Sequence, residues 1–355
     1  MQTDFLIVGG GVIGLTSARV LLQAGYRVSL IERGTPGKEA SWAGGGILSP
    51  LCPWDYHEAV TRLALRGMNM FAEAAAALHA ITGIDPEYQR SGMLLLPPYQ
   101  AELAGQWCAQ HQVRLQPVKL EEYFPGQQGA GLLLPEIAQV RNPRLMRALR
   151  KHVEMLGGII LEQQEVQRLE ISSDRVVALQ TVSGRLEADA YIIAAGAWSR
   201  MLLGELALKM DIRPIRGQIL LFKFDTPPFQ QILLKENLYL IPRRDGHVLV
   251  GSTLEDVGFD KSTTVEARES LLMRVREIFP GWGGILPVQH WAGFRPGSPD
   301  NIPTIGRHPR LANLYANSGH YRYGVTMSLA SAELLLNEID GKPQPFGVEE
   351  YCWKQ

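Results

Sequence analysis

The chain has 355 residues, of which 46% are hydrophobic and 20% are charged, so it can bury a large core and is unlike a disordered protein. Its formal net charge is −1 and it contains no basic run, which argues against a nucleic-acid-binding surface. No apolar run reaches the roughly 18 residues that a transmembrane helix requires. The length is typical of a compact two-domain enzyme.

Three cysteines, Cys52, Cys108 and Cys352, are an odd number and lack the C-x-x-C spacing of a metal or redox motif. The eight histidines show no zinc spacing. A first strand that begins by residue 4 leaves no room for a signal peptide. We therefore expect a cytoplasmic protein from a reducing compartment, with no structural metal.

The most informative pattern lies in the first thirty-odd residues. A buried-type strand, a glycine cluster, a helix, a second strand and an acidic residue are predicted in this order: residues 5–8, Gly9 with Gly11 and Gly14, residues 12–23, residues 27–31, and Glu32. A lone G-x-G-x-x-G motif is a weak signal. Here it stands between a strand and a helix, which is the context that dinucleotide binding requires.

Each part of this pattern has a physical role. Gly9 permits the tight turn after the strand, Gly11 lets a pyrophosphate approach the backbone, and Gly14 lets the helix pack closely on the strand. The unpaired N–H groups of the helix then face the pyrophosphate. Glu32 would accept hydrogen bonds from the ribose hydroxyls and would repel a 2′-phosphate. The sequence therefore predicts a site that binds FAD or NAD and does not bind NADP.

Further along the chain, the glycines within residues 41–50 predict a second place where backbone lies against a flat ligand, with a plain glycine hinge as the alternative. An alanine-rich amphipathic run at residues 57–81 predicts a scaffold helix. The character changes from Asp85, where short strands are predicted. Asn142 and Pro143 then favour the start of a helix that runs to about residue 156.

The second half of the chain alternates between the two kinds of structure. A single strand over residues 159–166 and hairpins over residues 166–188 are predicted, and a buried strand that breaks at Gly196 into a helix returns the chain to the nucleotide domain. Antiparallel strands are predicted next, over residues 219–224 and 288–294, with a clear hairpin between them that turns at Asp245-Gly246. A strand, a glycine-flanked loop and a helix over residues 314–339 form the tail.

The predicted fold class is α/β, with a Rossmann-like nucleotide domain that an antiparallel β-sheet domain interrupts twice. We assign residues 1–84, 141–208 and 293–355 to the nucleotide domain, and residues 85–140 and 209–292 to the substrate domain. A nicotinamide dehydrogenase of the usual kind would show a more continuous run of alternating strands and helices.

Six stretches, taken together and in order, resemble the D-amino acid oxidase/glycine oxidase family of FAD flavoenzymes, most closely the thiamine-pathway glycine oxidases. They are residues 8–14, 41–50, 194–199, 239–243, 293–296 and 319–324. The resemblance covers nearly the whole chain. It implies non-covalently bound FAD and a D-amino acid oxidase-like architecture.

The resemblance also implies catalytic roles. Arg295 matches the arginine that takes the substrate carboxylate as a bidentate pair, and Tyr239 matches the tyrosine whose hydroxyl reaches the same carboxylate. Arg322 resembles an arginine beside the flavin and near the substrate. The alternatives are a surface salt bridge for Arg295, a core position for Tyr239 and a structural contact for Arg322. Arg216 and Arg243 are predicted to be structural.

The resemblance extends to the cofactor and the pocket. The implied cofactor-binding residues are Gly9, Gly11, Val12, Ile13, Gly14, Glu32, Arg33, Ser41, Ala43, Gly44, Gly45, Gly46, Ile47, Val166, Ala195, Gly196, Trp198, His320, Tyr321, Arg322, Tyr323, Gly324 and Val325. The implied pocket residues are Ile47, Ser49 and Leu254. Leu254 stands where the family often has methionine, and Ser49 stands where it can have glycine or alanine, which narrows the entrance.

The implied activity is oxidative deamination of glycine, sarcosine or small D-amino acids, with molecular oxygen as acceptor and hydrogen peroxide as product. The imino acid would hydrolyse to a 2-oxo acid and ammonia or feed thiamine thiazole synthesis. A homo-oligomer is expected because relatives often form one. The alternatives are a sarcosine oxidase, a D-amino acid dehydrogenase, and a flavin-binding subunit of a larger complex.

Overall fold

The computed structural model describes residues 3–124 and 128–355. Its strands are β1 (Phe5–Val8), β2 (Val28–Ile31), β3 (Ile47–Leu48), β4 (Met93–Leu95), β5 (Gln116–Lys119), β6 (Ala130–Leu134), β7 (Ala138–Gln139), β8 (Ile159–Leu161), β9 (Val166–Ser172), β10 (Arg175–Thr181), β11 (Gly184–Leu186), β12 (Ala190–Ile193), β13 (Arg213–Lys223), β14 (Ile232–Lys235), β15 (Leu238–Pro242), β16 (His247–Gly251), β17 (Gln289–Gly297), β18 (Thr304–Arg307) and β19 (Leu314–Ser318). Its α-helices are α1 (Val12–Gln23), α2 (Ala40–Ala43), α3 (Glu58–Thr82), α4 (Ala101–Gln110), α5 (Asn142–Met155), α6 (Ser199–Leu203), α7 (Val265–Ile278) and α8 (Gly324–Asp340).

A six-stranded sheet lies in the segments that the sequence assigns to the nucleotide domain, in the order β18-β19-β12-β1-β2-β8. All pairings are parallel except that of β18 with β19. All four residues of β1 are buried, because helices cover one face and a small sheet covers the other. Burial of both faces explains the uninterrupted apolar sequence of this central strand.

The two faces of β1 belong to different clusters of apolar side chains. Phe5 and Ile7 pack with helices α1, α3, α5 and α8. Leu6 and Val8 pack toward the three-stranded sheet formed by β9, β10 and β11, whose core includes Leu179. The alternation follows from the two-residue period of a strand.

An eight-stranded sheet forms the second domain, in the order β17-β13-β16-β15-β14-β4-β6-β5. Neighbouring strands are antiparallel, apart from the parallel pair β14 and β4. Its strands come from residues 93–134 and 213–297, and these two segments enter between parts of the nucleotide domain. The expected fold class, with an antiparallel sheet interrupting a Rossmann-like domain, is confirmed.

Some element boundaries differ from those expected. Strand β17 crosses the predicted domain boundary at residue 293, because its pairing with β13 continues to Gly297. For the same reason β13 begins at Arg213, six residues before the expected start at Ile219. The single strand expected over residues 159–166 is two strands, β8 and β9, in different sheets. Strands β5 and β14 were not anticipated.

Among the described residues, none of the helices, including the 25-residue helix α3, combines the length and the apolar character needed to cross a membrane.

Candidate active site

A cavity of about 620 Å³ lies where the two large sheets meet. Its walls come from the carboxyl ends of β1, β2, β12 and β19, from the segment that follows α2, and from one face of β13, β15 and β17. The carboxyl edge of a parallel sheet is where such folds bind ligands. The volume lies within the range of about 300–1,000 Å³ that is usual for ligand pockets.

The glycine cluster after β1 is required by space as well as by conformation. Gly9 has a φ of +113°, and a Cβ atom there would lie 2.3 Å from the Ala194 carbonyl oxygen. A Cβ atom on Gly14 would lie 1.9 Å from the Gly9 carbonyl oxygen. Gly9 and Gly11 line the cavity, whereas Gly14 does not line it and lets α1 pack on the turn. The backbone is thus left bare beside the cavity.

The acid at the end of β2 is held in place by the backbone. One Glu32 carboxylate oxygen accepts a hydrogen bond from the Gly10 N–H at 2.8 Å, and the other accepts one from the Gly34 N–H at 2.9 Å. Each carboxylate oxygen can accept a second hydrogen bond. Glu32 lines the cavity, so a pair of ribose hydroxyls can complete its hydrogen bonding.

Ser41, in helix α2, lies beside the start of helix α1. Its Oγ accepts a hydrogen bond from the Val12 N–H at 2.8 Å, and the residue lines the cavity. The hydroxyl hydrogen of Ser41 is then free to point toward an anion at the helix N-terminus. No acidic residue stands in the first turn of α1, so the positive end of the helix dipole is not neutralised there.

An aromatic and basic stack borders the same end of the cavity. The Arg33 guanidinium lies 3.6 Å from the centroid of the Trp198 ring, and Phe259 stacks on Trp198 with 5.1 Å between centroids. Arg33, Trp198 and the segment 164–167, which contains Val166, all line the cavity. This region can hold the adenosine half of a dinucleotide.

The three consecutive glycines are held by Arg243. Its guanidinium is buried and donates to the Gly45 carbonyl at 2.6 Å, the Val140 carbonyl at 2.9 Å and Gln139 Oε1 at 2.7 Å. Gly46 has a φ of +73°, and a Cβ atom there would lie 2.2 Å from the Val140 carbonyl oxygen. Burial lowers the pKa of Arg243 to about 10, so it stays a cation at neutral pH. Arg243 is structural: it fixes the wall of the cavity.

Arg295 extends from β17 into the other end of the cavity. Its Nη2 donates to Ser252 Oγ at 2.5 Å, and its Nη1 donates to the Thr253 carbonyl oxygen at 3.2 Å. No carboxylate pairs with Arg295 among the residues that the structure describes. Burial lowers the pKa of its guanidinium, and the nearby Tyr239 hydroxyl opposes this shift. A cation with only neutral partners is suited to bind an anion.

Tyr239 and Arg322 lie beside Arg295. Tyr239 is only 7% exposed and lines the cavity. Arg322 also lines it, and the described part of the chain provides no hydrogen bond or salt bridge to its guanidinium. Burial lowers the pKa of Arg322, but the surrounding tyrosines, Tyr323 first, outweigh burial and raise it. The site thus holds two cations without a carboxylate.

The titratable side chains next to these arginines do not provide a base near neutral pH. His320 is 1% exposed, its Nε2 has no partner within the described residues, and burial lowers its pKa to about 3. The Tyr323 hydroxyl donates to the Tyr56 hydroxyl, and burial raises the pKa of Tyr323 well above its ordinary value. His320 is therefore neutral, and Tyr323 keeps its proton.

Comparison with known proteins identifies the family of this chain. The family model described as FAD dependent oxidoreductase matches residues 4–337. The chain belongs to this family.

A glycine oxidase of Pseudomonas aeruginosa is 43% identical to this member of the family over 349 residues, which cover 96% of each chain. A bifunctional ThiO/ThiG protein of Trichormus variabilis is 32% identical over 352 residues, which cover 96% of this chain and 53% of the relative. The crystal structure of a glycine oxidase from Geobacillus kaustophilus superposes with a TM-score of 0.94 at 26% identity, covering 100% of this chain and 99% of the other. The expected family and its cofactor, FAD, are confirmed.

The residues of this FAD-dependent oxidoreductase fit its cofactor. Bare backbone at Gly11 and the start of α1 suit a pyrophosphate, and Glu32 suits a ribose. Bare backbone at Gly44 and Gly45 and the loop at residues 319–325 offer flat walls for a tricyclic ring at the end nearer Arg295.

The cavity lining brings together the proposed site residues with two exceptions. Gly14 lies behind the lining, as described above. Leu254, proposed for the pocket, is 55% exposed and lies outside the cavity lining. The chain leaves the cavity after Ser252, and the next side chain, Thr253, is taken up by hydrogen bonds to the Gln218 N–H and to Glu255.

The lining also contains residues that were not predicted from the sequence to belong to the site. They include Asn142, Gly217, Ser252, Phe294, Asn317 and Thr326. Asn142 is 1% exposed, and neither atom of its amide group has a partner in the described parts of the chain. Gly217 lies inside β13, where a glycine often marks a close approach by another group, but the expected strand began at Ile219 and so left this signal unused.

Proposed function

We propose that this FAD-dependent enzyme oxidises glycine and other small amino acids, such as sarcosine and small D-amino acids, at the end of the cavity that holds Arg295. The products are an imino acid and hydrogen peroxide from molecular oxygen. Water converts the imino acid to a 2-oxo acid and ammonia, or to a 2-oxo acid and methylamine where the substrate is sarcosine. The observation that carries the proposal is the pair of cavity-lining cations, Arg295 and Arg322, beside Tyr239 and without a carboxylate partner in the described residues.

The substrate carboxylate is assigned to Arg295. A guanidinium presents a planar fork that matches two carboxylate oxygens, which a lysine cannot do. Ser252 and Thr253 hold the fork from one side, so its orientation is set before the substrate arrives. The Tyr239 hydroxyl can donate to the same carboxylate. This arrangement binds an α-amino acid by its carboxylate, a group that every α-amino acid has.

The cluster of cations also favours the reactive form of the amine. A nearby positive charge disfavours the ammonium form and so lowers the pKa of a bound amine. The FAD that Gly11, Glu32 and the loop at residues 319–325 would hold would supply the acceptor for the hydride of the α-carbon and the route of its electrons to oxygen. The protein residues then orient the substrate and hold its charge, and none of them needs to act as a base. The neutral His320 and the high pKa of Tyr323 agree with this assignment.

The walls near Arg295 favour a small substrate. Ile47, Ser49 and Leu51 line the cavity, and Ser49 is only 3% exposed. The Ser49 hydroxyl donates to the Pro50 carbonyl oxygen at 2.9 Å, so its oxygen is held in a fixed place. We infer that these side chains limit the size of the group on the α-carbon.

The test is the visible absorption spectrum of the FAD-bound protein during anaerobic addition of glycine, sarcosine and D-alanine in turn, followed by admission of oxygen. Bleaching by glycine and return of the colour with release of peroxide are the expected results. Bleaching by sarcosine alone would favour a sarcosine oxidase. Bleaching without return in oxygen would favour a D-amino acid dehydrogenase. A protein that holds FAD but is bleached by none of the three would overturn the proposed substrates.

We further propose that the imino acid can feed thiamine thiazole synthesis, which the likeness to a ThiO/ThiG protein supports. The cytoplasmic location and the homo-oligomer stay predictions.

A further inference from the structure

The two residues assigned to the carboxylate stand far apart in the sheet. Arg295 is on β17 and Tyr239 is on β15, and strands β13 and β16 lie between them. Three strand intervals of roughly 4.8 Å place the two backbones about 14 Å apart. Both side chains must therefore lie across the intervening strands to meet at one carboxylate.

The register shows what lies beneath them. Side chains that pair across neighbouring strands share a face, as do side chains two residues apart. By these rules Arg295 shares its face with Gly217 of β13. Gly251 of β16 pairs with Tyr239 and with Ile219 of β13, which places it on the same face. The intervening strands thus each present a glycine between Arg295 and Tyr239.

Space, and not backbone conformation, requires these glycines. A Cβ atom on Gly217 would lie 2.1 Å from Nη1, 2.3 Å from Nη2 and 2.4 Å from Cζ of Arg295. A Cβ atom on Gly251 would lie 2.7 Å from the Tyr239 hydroxyl oxygen. Neither glycine is among the residues with a positive φ. A positive φ therefore does not require glycine at either position, but the methyl group of an alanine would occupy the place of the functional group.

We propose that Gly217 and Gly251 are positioning residues: they let Arg295 and Tyr239 lie flat across the sheet and converge on the substrate carboxylate. The proposal rests on the proposed function. A side chain at position 217 would lift the guanidinium away from Ser252 Oγ and the Thr253 carbonyl, which set the direction of its fork. Because the displaced group is the end of a flexible side chain, the fold itself can adapt.

The first test is Gly217→Ala in the FAD-bound enzyme, with Gly105→Ala as control, because a Cβ atom at helical position 105 would meet nothing within 4 Å. We expect the KM for glycine to rise about tenfold to a hundredfold, which corresponds to the loss of one charge-assisted hydrogen bond. The kcat and the FAD affinity should stay within about threefold of the wild-type values. The dissociation constant of acetate, a bare carboxylate, should rise in parallel. A fall in kcat or FAD affinity with an unchanged KM would overturn the proposal.

A second test does not depend on the substrate. Gly217→Ala is compared by thermal unfolding in the wild-type and Arg295→Ala backgrounds, both with FAD bound. We expect the Tm loss caused by Gly217→Ala to disappear once Arg295 is truncated, because the three atoms nearest to the methyl group all belong to the Arg295 guanidinium. Equal losses in the two backgrounds would show that the methyl group meets something else, and would overturn the proposal.

The outcomes separate this proposal from the proposed function. If the wild-type enzyme does not oxidise glycine, the proposed function fails, while the coupling between positions 217 and 295 still decides whether Gly217 positions Arg295. If Gly217→Ala is insoluble, solubility of the double variant supports the proposal and insolubility of both overturns it. Gly251→Ala, compared in the wild-type and Tyr239→Ala backgrounds, gives the corresponding result for the second glycine.

Discussion

The two ends of the cavity are built in opposite ways. The end that suits the dinucleotide comes mostly from one continuous stretch, β1 to Glu32, in which glycines expose backbone N–H groups. The end that suits the substrate comes from side chains on several strands of another sheet and from the tail loop. Backbone groups bind what all dinucleotides share, whereas side chains select one small molecule. The difference explains why the dinucleotide end can be recognised as a sequence motif and the substrate end cannot.

The largest effect should come from the backbone-built end. Gly14→Ala places a Cβ atom 1.9 Å from a backbone oxygen that cannot move aside as a side chain can. We expect a loss of about 3 kcal/mol or more in stability and a matching loss of FAD retention. Calorimetry and the dissociation constant of FAD measure the two. Retention of FAD with an unchanged Tm would show that close packing of α1 is not required; Gly105→Ala serves as control.

The side-chain-built end should lose function without losing the cofactor. Arg295→Ala removes the bidentate partner of the carboxylate, and we expect the KM for glycine to rise about 100-fold with FAD affinity unchanged. Steady-state kinetics and FAD fluorescence test this contrast. Arg244→Ala, which removes an exposed salt bridge to Asp85, is the matched control. A normal KM in Arg295→Ala would exclude Arg295 from the substrate site.

Arg243 joins the two ends of the cavity, because it binds the glycine segment from the turn between β15 and β16 of the eight-stranded sheet. Arg243→Leu leaves the Gly45 and Val140 carbonyls without their donor, and we expect a loss of about 1–3 kcal/mol in stability. The FAD affinity should fall and the KM for glycine should rise, whereas Gly14→Ala and Arg295→Ala should each affect one end of the cavity. Urea unfolding and both binding measurements test this. An effect confined to one end would contradict the joining role.

The smallest effect concerns pH. Burial raises the pKa of the Glu255 carboxyl, but hydrogen bonds from Thr253, Arg216 and Gln218 outweigh burial and hold this pKa below its ordinary value. A carboxyl with a lowered pKa in the folded state contributes stability that is present above its ordinary pKa and is lost as the pH falls. Glu255 lies close in the chain to Ser252 and Thr253, which bind Arg295, so this contribution belongs to the substrate end of the cavity.

Glu255→Gln measures that contribution. We expect a lower Tm than the wild type at about pH 6 and a smaller difference at about pH 4, where the Glu255 carboxyl of the unfolded chain begins to take up a proton. Glu266→Gln, on the exposed first turn of α7, is the control. A constant difference between wild type and Glu255→Gln at both pH values would contradict the assignment.

Several parts of the fold were predictable because they depend on local sequence. The motif around Gly9 and the hairpin that turns at Asp245-Gly246 were found where the spacing indicates. The limits of β17 were not, because a strand extends as far as its partner pairs with it, and the partner β13 is distant in the chain. Leu254 could not be placed from the sequence for a similar reason. It comes two residues after Ser252, which lines the cavity, but the chain turns after Ser252 and places Leu254 at the surface.

By itself, the sequence determined the class of the fold, the place of the dinucleotide motif and, through resemblance, the cofactor and the candidate arginine. These depend on period, glycine spacing and residue type, which are properties of short segments. Only the tertiary structure decided that Arg295 and Tyr239 cross two strands to meet, and that Gly217 and Gly251 leave them room. Those facts depend on strand order and register, which arise from pairing between distant segments and are written in no single stretch of the chain.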